Sequence, residues 1–210
     1  MTPYSALALQ MDCHAVNGLA DRAAVEQAMA STLDRVDRLI AGSKGFIGTF
    51  TGDSLRLVVL PEYFLTSFPM GESIREWRTK ACIEMDGPEY ERMGEIARNR
   101  GVYLSGNAYE LDPHFPDLYF QTSFIISDEG DVILRYRRLI SMFTPTPHDV
   151  LSQYRDVYGD DGLFPVTDTP LGRLACVASE EILYPEVARA LATRGAVSYT
   201  HLTLPTSSQV

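Results

Sequence analysis

Two kinds of segment alternate along the chain. Short apolar runs stand at Ser5–Gln10, Leu55–Leu60, Val102–Ala108, Tyr119–Ser127, Asp131–Arg137 and Gly172–Ser179, and they predict strands. Leu55–Leu60 (LRLVVL) is nearly continuous, the pattern of a strand covered on both faces. Between these runs, apolar residues recur at helical spacing. From Arg22 to Ile40 the stripe is Ala24, Ala28, Leu33, Val36, Leu39 and Ile40, with Asp21 placed to cap the first turn. Further helices are predicted at Glu89–Arg100, opened by Gly87-Pro88 and stopped by Gly101, and at Pro185–Arg194, stopped by Gly195. Gly42–Gly52 holds four glycines and reads as loop. Asp128-Glu129-Gly130 reads as the turn of a hairpin, and Phe143–Phe164 as a long connection with a short helix at His148–Tyr158. Strands alternating with helices, with one hairpin inserted, predict an α/β fold.

Composition narrows the function. The chain has 210 residues, 45% hydrophobic and 22% charged, which fits one globular domain. The net charge of −10 argues against nucleic acid as a partner, because phosphates demand a basic surface. No apolar run approaches the ~20 residues of a membrane helix, so no membrane is expected. The start, MTPYSALALQMD, lacks a basic region and a cleavage site, so no signal peptide is read. Cys13, Cys82 and Cys176 are widely spaced and odd in number, with no CxxC. Neither a zinc site nor a disulfide frame is expected from them, and the cytoplasm is the expected compartment.

The end of the chain differs from the rest. After Arg194 there is no Lys, Arg, Asp or Glu. Val197–Thr206, VSYTHLTLPT, back-translates as GTC TCT TAT ACA CAT CTG ACG CTG CCG ACG and resembles a transposon-end sequencing adaptor read as coding sequence. Residues 1–196 are therefore read as the protein domain. Residues 197–210 are read as adaptor read-through, with no helical or strand pattern continuing what precedes.

Three segments hold candidate chemistry. Glu62, in LVVLPEYFLTSFP, follows the apolar strand, where α/β proteins place ligand chemistry. Its Leu, Tyr and Phe neighbours would desolvate it and raise its pKa, as suits a general base. Arg135, Arg137 and Arg138 lie in RYRRLISM. Strand alternation puts the first two on one face and Arg138 on the other, where a cation at a strand end suits a carboxylate or an oxyanion. Ser179 ends the strand of LGRLACVASEEILYPE, a strand–turn–helix geometry that exposes a nucleophile, without the glycines of a GxSxG elbow.

Together these segments resemble the carbon–nitrogen hydrolase, or nitrilase, superfamily. That family pairs a Glu after an apolar strand, a Lys in a YRK segment after a hairpin, and a Cys in G-[IL]-G-x-x-[IV]-C-x-[DE]-x-x-[FY]-P-E before a helix. VVLPEYF matches the first. Gly172-Arg173-Leu174, Tyr184-Pro185-Glu186 and the following ARALATRGA helix match the last, with Asp168-Thr169 ahead of it. The resemblance spans Tyr4 to Ala196 and implies a four-layer α-β-β-α sandwich of the nitrilase type, here its N-terminal portion with the C-terminal part missing. It implies a homodimer or larger homo-oligomer in full-length form, no metal and no organic cofactor. It also implies hydrolysis of a non-peptide carbon–nitrogen bond in a small amide, nitrile or carbamoyl compound.

Two positions depart from the pattern: Ser179 stands where the family has Cys, and Arg138 where it has Lys. The implied catalytic set is Glu62, Arg138 and Ser179. A hydroxyl is harder to deprotonate than a thiol, and a guanidinium donates hydrogen bonds but gives up no proton. A catalytically inactive relative that binds a small molecule or a partner is the alternative, and an oligomeric scaffold a third. Cys176 lies three residues before Ser179 and points to the other face. The family's additional glutamate has no clear match, and His148, Asp149 and Asp156 in that region read as loop residues. Loops at Thr66–Trp77, Pro113–Leu118 and Phe143–Tyr158 would shape a partly apolar pocket.

Overall fold

The structure is a computed structural model that describes residues 3–202 and 208–209. Strand β1 (Ser5–Ala8) pairs in parallel with β3 (Leu55–Val59), which pairs in parallel with β5 (Tyr103–Leu111). The hairpin β6 (Phe120–Ile126) and β7 (Val132–Arg137) adds two antiparallel strands beyond β5. The two-residue β4 (Ile83–Glu84) pairs with the far end of β5. A second sheet holds β8 (Thr167–Thr169), β9 (Gly172–Ala178) and β10 (Ser198–Leu202), in the order β10-β9-β8.

Helix α1 (Arg22–Thr51) and α3 (Pro88–Arg100) cover the outer face of the first sheet. Val25, Met29, Leu33, Val36 and Ile40 of α1 share one core with Val58, Leu104 and Phe124 of the sheet and Met93, Ile96 and Ala97 of α3. A second core lies between the sheets, where Leu57, Tyr103, Ile125, Leu134 and Tyr136 meet Leu174, Cys176 and Ala178. The alternate residues of β9, Ala175 and Val177, face Val187 and Leu191 of α5 (Pro185–Thr193). This period-two division of β9 produces the expected order of layers: helix, sheet, sheet, helix.

Several expectations are corrected. The glycine-rich stretch is not a loop: α1 runs through Gly42, Gly45 and Gly48 and ends at Gly52, whose φ of 74° is left-handed. Each helical glycine costs about 1 kcal/mol relative to alanine. The helix continues because Ile47 packs on the core and the Lys44 ammonium donates to the Arg100 carbonyl oxygen. The segment Thr66–Trp77, read as loop, contains most of the first turn of α2 (Ile74–Ala81). Ser73 and Glu76 form a capping box there, and Trp77 and Ala81 are the buried face. Residues 198–202, read as patternless, form β10 in parallel with Leu174–Ala178. Asp156, read as a loop residue, is on the exposed side of α4 (Leu151–Tyr158). Residues 208–209 form β11 (Ser208–Gln209) beside β2 (Cys13–His14). The part of the expectation for residues 197–210 that falls on residues 203–207 and 210 lies outside the described residues.

Candidate active site

β3 is flanked by β1 and β5 and covered on both faces, so the chain leaving its carboxyl end starts deep in the protein. Leu60 donates its N–H to the Ser105 carbonyl oxygen at 2.8 Å. The chain then turns tightly, with the N–H groups of Thr66 and Ser67 both bonded to the Tyr63 carbonyl oxygen, at 3.2 and 2.8 Å. Tyr63 has φ of 56°, a strained value for a residue with a side chain. This turn holds Glu62 fully buried. Around it stand Tyr63 stacked on Tyr109 at 5.4 Å, and Trp77 edge-on to Tyr109 at 5.7 Å.

Arg138 is the first residue past β7. Its N–H bonds to the Gln121 carbonyl oxygen at 3.0 Å, and it is nearly buried. Alternation separates the three arginines as expected. Arg135 and Arg137 turn to Glu110, at 3.0 and 3.3 Å, on the face that also holds Asp112. Arg138 turns to Glu62, with Nη1 4.0 Å from Oε1. Only Arg138 of the three belongs to the site.

Ser179 follows β9 and begins a short 3-10 turn, Ser179–Leu183, before α5. Its φ is 50°, so this serine also sits in left-handed backbone. The strain resembles that of a nucleophile elbow without the flanking glycines. Cys176 lies in the inter-sheet core, accepts a hydrogen bond from the Thr200 hydroxyl at 3.3 Å, and has its thiol pushed up to about 11 by burial. It is inert where it stands.

The three expected residues converge on one place. Ser179 and Arg138 line a cavity of about 490 Å³ together with Glu180, Tyr63, Tyr109 and Phe68. Glu62 stands behind Tyr63 and Gln121. The Gln121 amide donates to Glu62 Oε1 at 2.6 Å. Gln121 Oε1 accepts from the Tyr63 hydroxyl at 3.1 Å and from Arg138 Nη1 at 2.8 Å. Burial raises the pKa of Glu62. The Gln121 bond, the Arg138 charge and the Tyr63 and Ser179 hydroxyls oppose that rise and do not cancel it. Glu62 Oε2 is enclosed with no donor in bonding geometry, so one oxygen remains open to a proton.

The donors of Arg138 can be counted. A guanidinium has five N–H groups. Nε donates to the Ile140 carbonyl oxygen at 2.7 Å, Nη1 to Gln121 and to the Tyr63 hydroxyl at 3.2 Å, and Nη2 to Glu180. One N–H on Nη2 remains. Glu180 itself is held below the usual carboxylate range. Burial pushes it upward, and the Ser179 hydroxyl, its own backbone N–H and Arg138 outweigh that.

Gln121, Tyr63 and Glu180 were not singled out from sequence. The signal for Gln121 was present: Gln121-Thr122-Ser123 puts three polar residues inside a strand that is buried throughout, and buried polar groups need partners. Asp149 is occupied as a turn cap, accepting from the Thr146 N–H at 2.7 Å. With His148 it lines a neighbouring cavity of about 660 Å³, which shares Ser141, Phe143 and Thr144 with the first. Of the loops expected to shape the pocket, Thr66–Trp77 contributes Phe68, Pro69, Met70 and Gly71, and Phe143–Tyr158 contributes Phe143 and Thr144. Pro113–Leu118 reaches only the neighbouring cavity, through Leu118. Among the described residues no group of three or more His, Cys, Asp or Glu is arranged to hold a metal ion. No helix there is long and apolar enough to cross a membrane.

Comparison with known proteins agrees with this frame. The carbon-nitrogen hydrolase family profile matches residues 13–208. The deaminated glutathione amidase of Yersinia enterocolitica is 30% identical over 145 residues, covering 68% of this chain and 49% of that protein. A carbon-nitrogen hydrolase structure from Helicobacter pylori superposes with a TM-score of 0.64 at 21% identity, over 98% of this chain and 63% of that one. A mutant amidase from Nesterenkonia sp. AN1, carrying the acetamide moiety of fluoroacetamide at its active site cysteine, superposes with a TM-score of 0.60 at 18% identity, over 92% and 62%. The chain spans about half the length of the curated relatives it matches. With the profile matched over nearly its whole length on a helix–sheet–sheet–helix frame, the chain belongs to the carbon-nitrogen hydrolase family.

Proposed function

We propose that the protein hydrolyses a non-peptide carbon–nitrogen bond in a small amide, nitrile or carbamoyl compound, with Ser179 as nucleophile, Glu62 as base and Arg138 as oxyanion donor. The observation that carries this reading is that Ser179 and Arg138, from two separate strand ends, line one cavity, with the buried Glu62 carboxylate from a third strand end 4.0 Å behind Arg138. For an amide, Ser179 Oγ attacks the carbonyl carbon while Glu62 takes the hydroxyl proton. The remaining Nη2 N–H of Arg138 faces the developing oxyanion. Glu62 returns the proton to the leaving nitrogen, which departs as the C–N bond breaks. Water, deprotonated by Glu62, then attacks the Ser179 ester, and Glu62 passes that proton to Ser179 Oγ as the acid departs. A raised pKa makes Glu62 a stronger base than an exposed glutamate. The aromatic wall favours substrates with an apolar portion.

The test is turnover of an amide and nitrile panel by the purified protein. Ser179→Ala is expected to abolish it, and mass spectrometry to detect an acyl adduct on Ser179. Turnover unchanged in Ser179→Ala would falsify the assignment.

A second reading, a catalytically silent relative that binds a small amide, carboxylate or partner, draws support from the donor count. Four of the five Arg138 N–H groups are already engaged, and Ser179 offers no thiolate. Binding without turnover in the native chain, with hydrolysis gained in Ser179→Cys/Arg138→Lys, would select it. Either reading carries with it a cytoplasmic homodimer or larger assembly of the full-length protein, which light scattering after size exclusion measures. We further propose that residues 197–210 are adaptor read-through, which resequencing the source DNA across the Ala196 junction decides.

A further inference from the structure

Ser179 and Arg138 come from different sheets. Ser179 directly follows β9 of the second sheet, and Arg138 directly follows β7 of the first. Their separation therefore depends on what joins the two strand ends. One buried side chain does so. Glu181 Oε1 accepts the N–H groups of Leu139 and Ile140, at 2.7 and 3.0 Å. Its Oε2 accepts the Tyr136 hydroxyl at 2.7 Å and the Ala178 N–H at 3.3 Å. Tyr136 and Leu139-Ile140 flank Arg138 on both sides, and Ala178 precedes Ser179. All four partners are donors, so the carboxylate satisfies four polar groups that the inter-sheet space would otherwise leave unpaired. The Ile140 carbonyl oxygen in turn holds Arg138 Nε at 2.7 Å, which extends the chain of bonds to the guanidinium itself.

We infer that Glu181 is a positioning residue that fixes Arg138 against residue 179 across the two sheets. This rests on the proposed site but not on its turnover, because the distance it sets is a property of the fold. The carboxylate is specific to the task. An amide at 181 accepts with one atom only; its nitrogen can still donate to the Tyr136 hydroxyl oxygen but cannot accept a backbone N–H, so it loses either the Ala178 N–H or the Leu139-Ile140 pair. Arg138 then draws away from residue 179, and any anion formed there loses its nearest cation. The charged groups facing that anion are Arg138, Glu62 and Glu180.

The experiment uses the Ser179→Cys protein and iodoacetamide, whose alkylation rate reports the thiolate fraction as iodide is displaced. The rate is followed against pH, after subtracting the rate of the unsubstituted chain with its buried Cys13, Cys82 and Cys176. Adding Glu181→Gln is expected to slow alkylation about tenfold at neutral pH and move the profile to higher pH, an effect of a single tenfold step in thiolate fraction. Tyr136→Phe, which removes one bond of the four, is expected to shift it less in the same direction. Glu91→Gln, on the exposed side of α3, is expected to leave it unmoved. Where the native chain turns over substrate, Glu181→Gln lowers kcat with little change in KM. A profile unmoved by Glu181→Gln in protein that keeps its circular dichroism overturns the inference. If Glu181→Gln fails to fold, Tyr136→Phe decides on the same criterion. A native chain without turnover that still shows the shift defeats the enzymatic reading and leaves this one standing.

Discussion

Glu62 has its pKa raised by burial, and that burial has a cost that pH exposes. A carboxyl whose pKa is raised in the folded state holds its proton more tightly there than in the unfolded chain. Its contribution to stability is therefore complete below the ordinary value of 4.5 and is lost as pH rises through the higher folded value. Glu181 is shifted in the same direction, with burial again the leading cause. Glu62→Gln removes one of these titrations. Its melting temperature relative to the native chain is expected to climb as pH is raised from 4 to 8, measured by differential scanning fluorimetry. A constant difference across that range would mean that Glu62 does not titrate there. The burial and raised pKa of Glu62 were legible from sequence because its setting is local: an apolar strand, a proline and two aromatics. Glu181 was not, because its four partners lie on residues 136–140 and 178, and only the meeting of two sheets brings them together.

At the scale of elements, the packing of α3 on the hairpin turn decides what the helix can carry. Gly94 is in mid-helix, where alanine is intrinsically better by about 1 kcal/mol. A Cβ there would stand 2.5 Å from the Gly130 carbonyl oxygen, which is backbone and cannot swing aside. Gly94→Ala is expected to destabilise the protein by about 1–3 kcal/mol, the usual cost of overpacking, read as a lower urea midpoint with an unchanged slope. Local signals found most of the elements. Asp21 caps α1 by accepting from the Ala24 N–H at 2.9 Å, and Gly101 ends α3 with φ of 59°. The glycines of α1 misled because propensity is a weak term against tertiary contacts. Nothing lies within 4 Å of a Cβ at Gly42, Gly45 or Gly48, so glycine is not required there. Ile47 and Lys44 hold the helix in place of propensity. α2 escaped notice through its brevity, although Ser73-x-x-Glu76 is a readable start.

At the scale of the molecule, the site depends on the two sheets staying in register with each other. Their shared core is small and centred on Leu174, which is fully buried between them. Leu174→Ala is expected to cost about 2–5 kcal/mol by chemical denaturation. The α/β class and the two-face burial of Leu55–Leu60 followed from the pattern of the sequence, whereas the layer order was implied by the family resemblance and is seen in the division of β9 between two cores. The pairing of Ser198–Leu202 with β9 did not, since its residues carry no alternation of apolar and polar character.

The left-handed backbone at Ser179 sets two demands on one residue against each other. Glycine reaches φ of 50° without the steric penalty that a Cβ imposes, so a screen that rewards thermal resistance alone pulls position 179 towards glycine. On the proposed role of Ser179, a screen for hydrolysis pulls it towards a side chain with a nucleophilic oxygen or sulfur. Populations of variants sorted by the two criteria would part at this codon, and tolerance of heat would be gained there at the expense of reactivity.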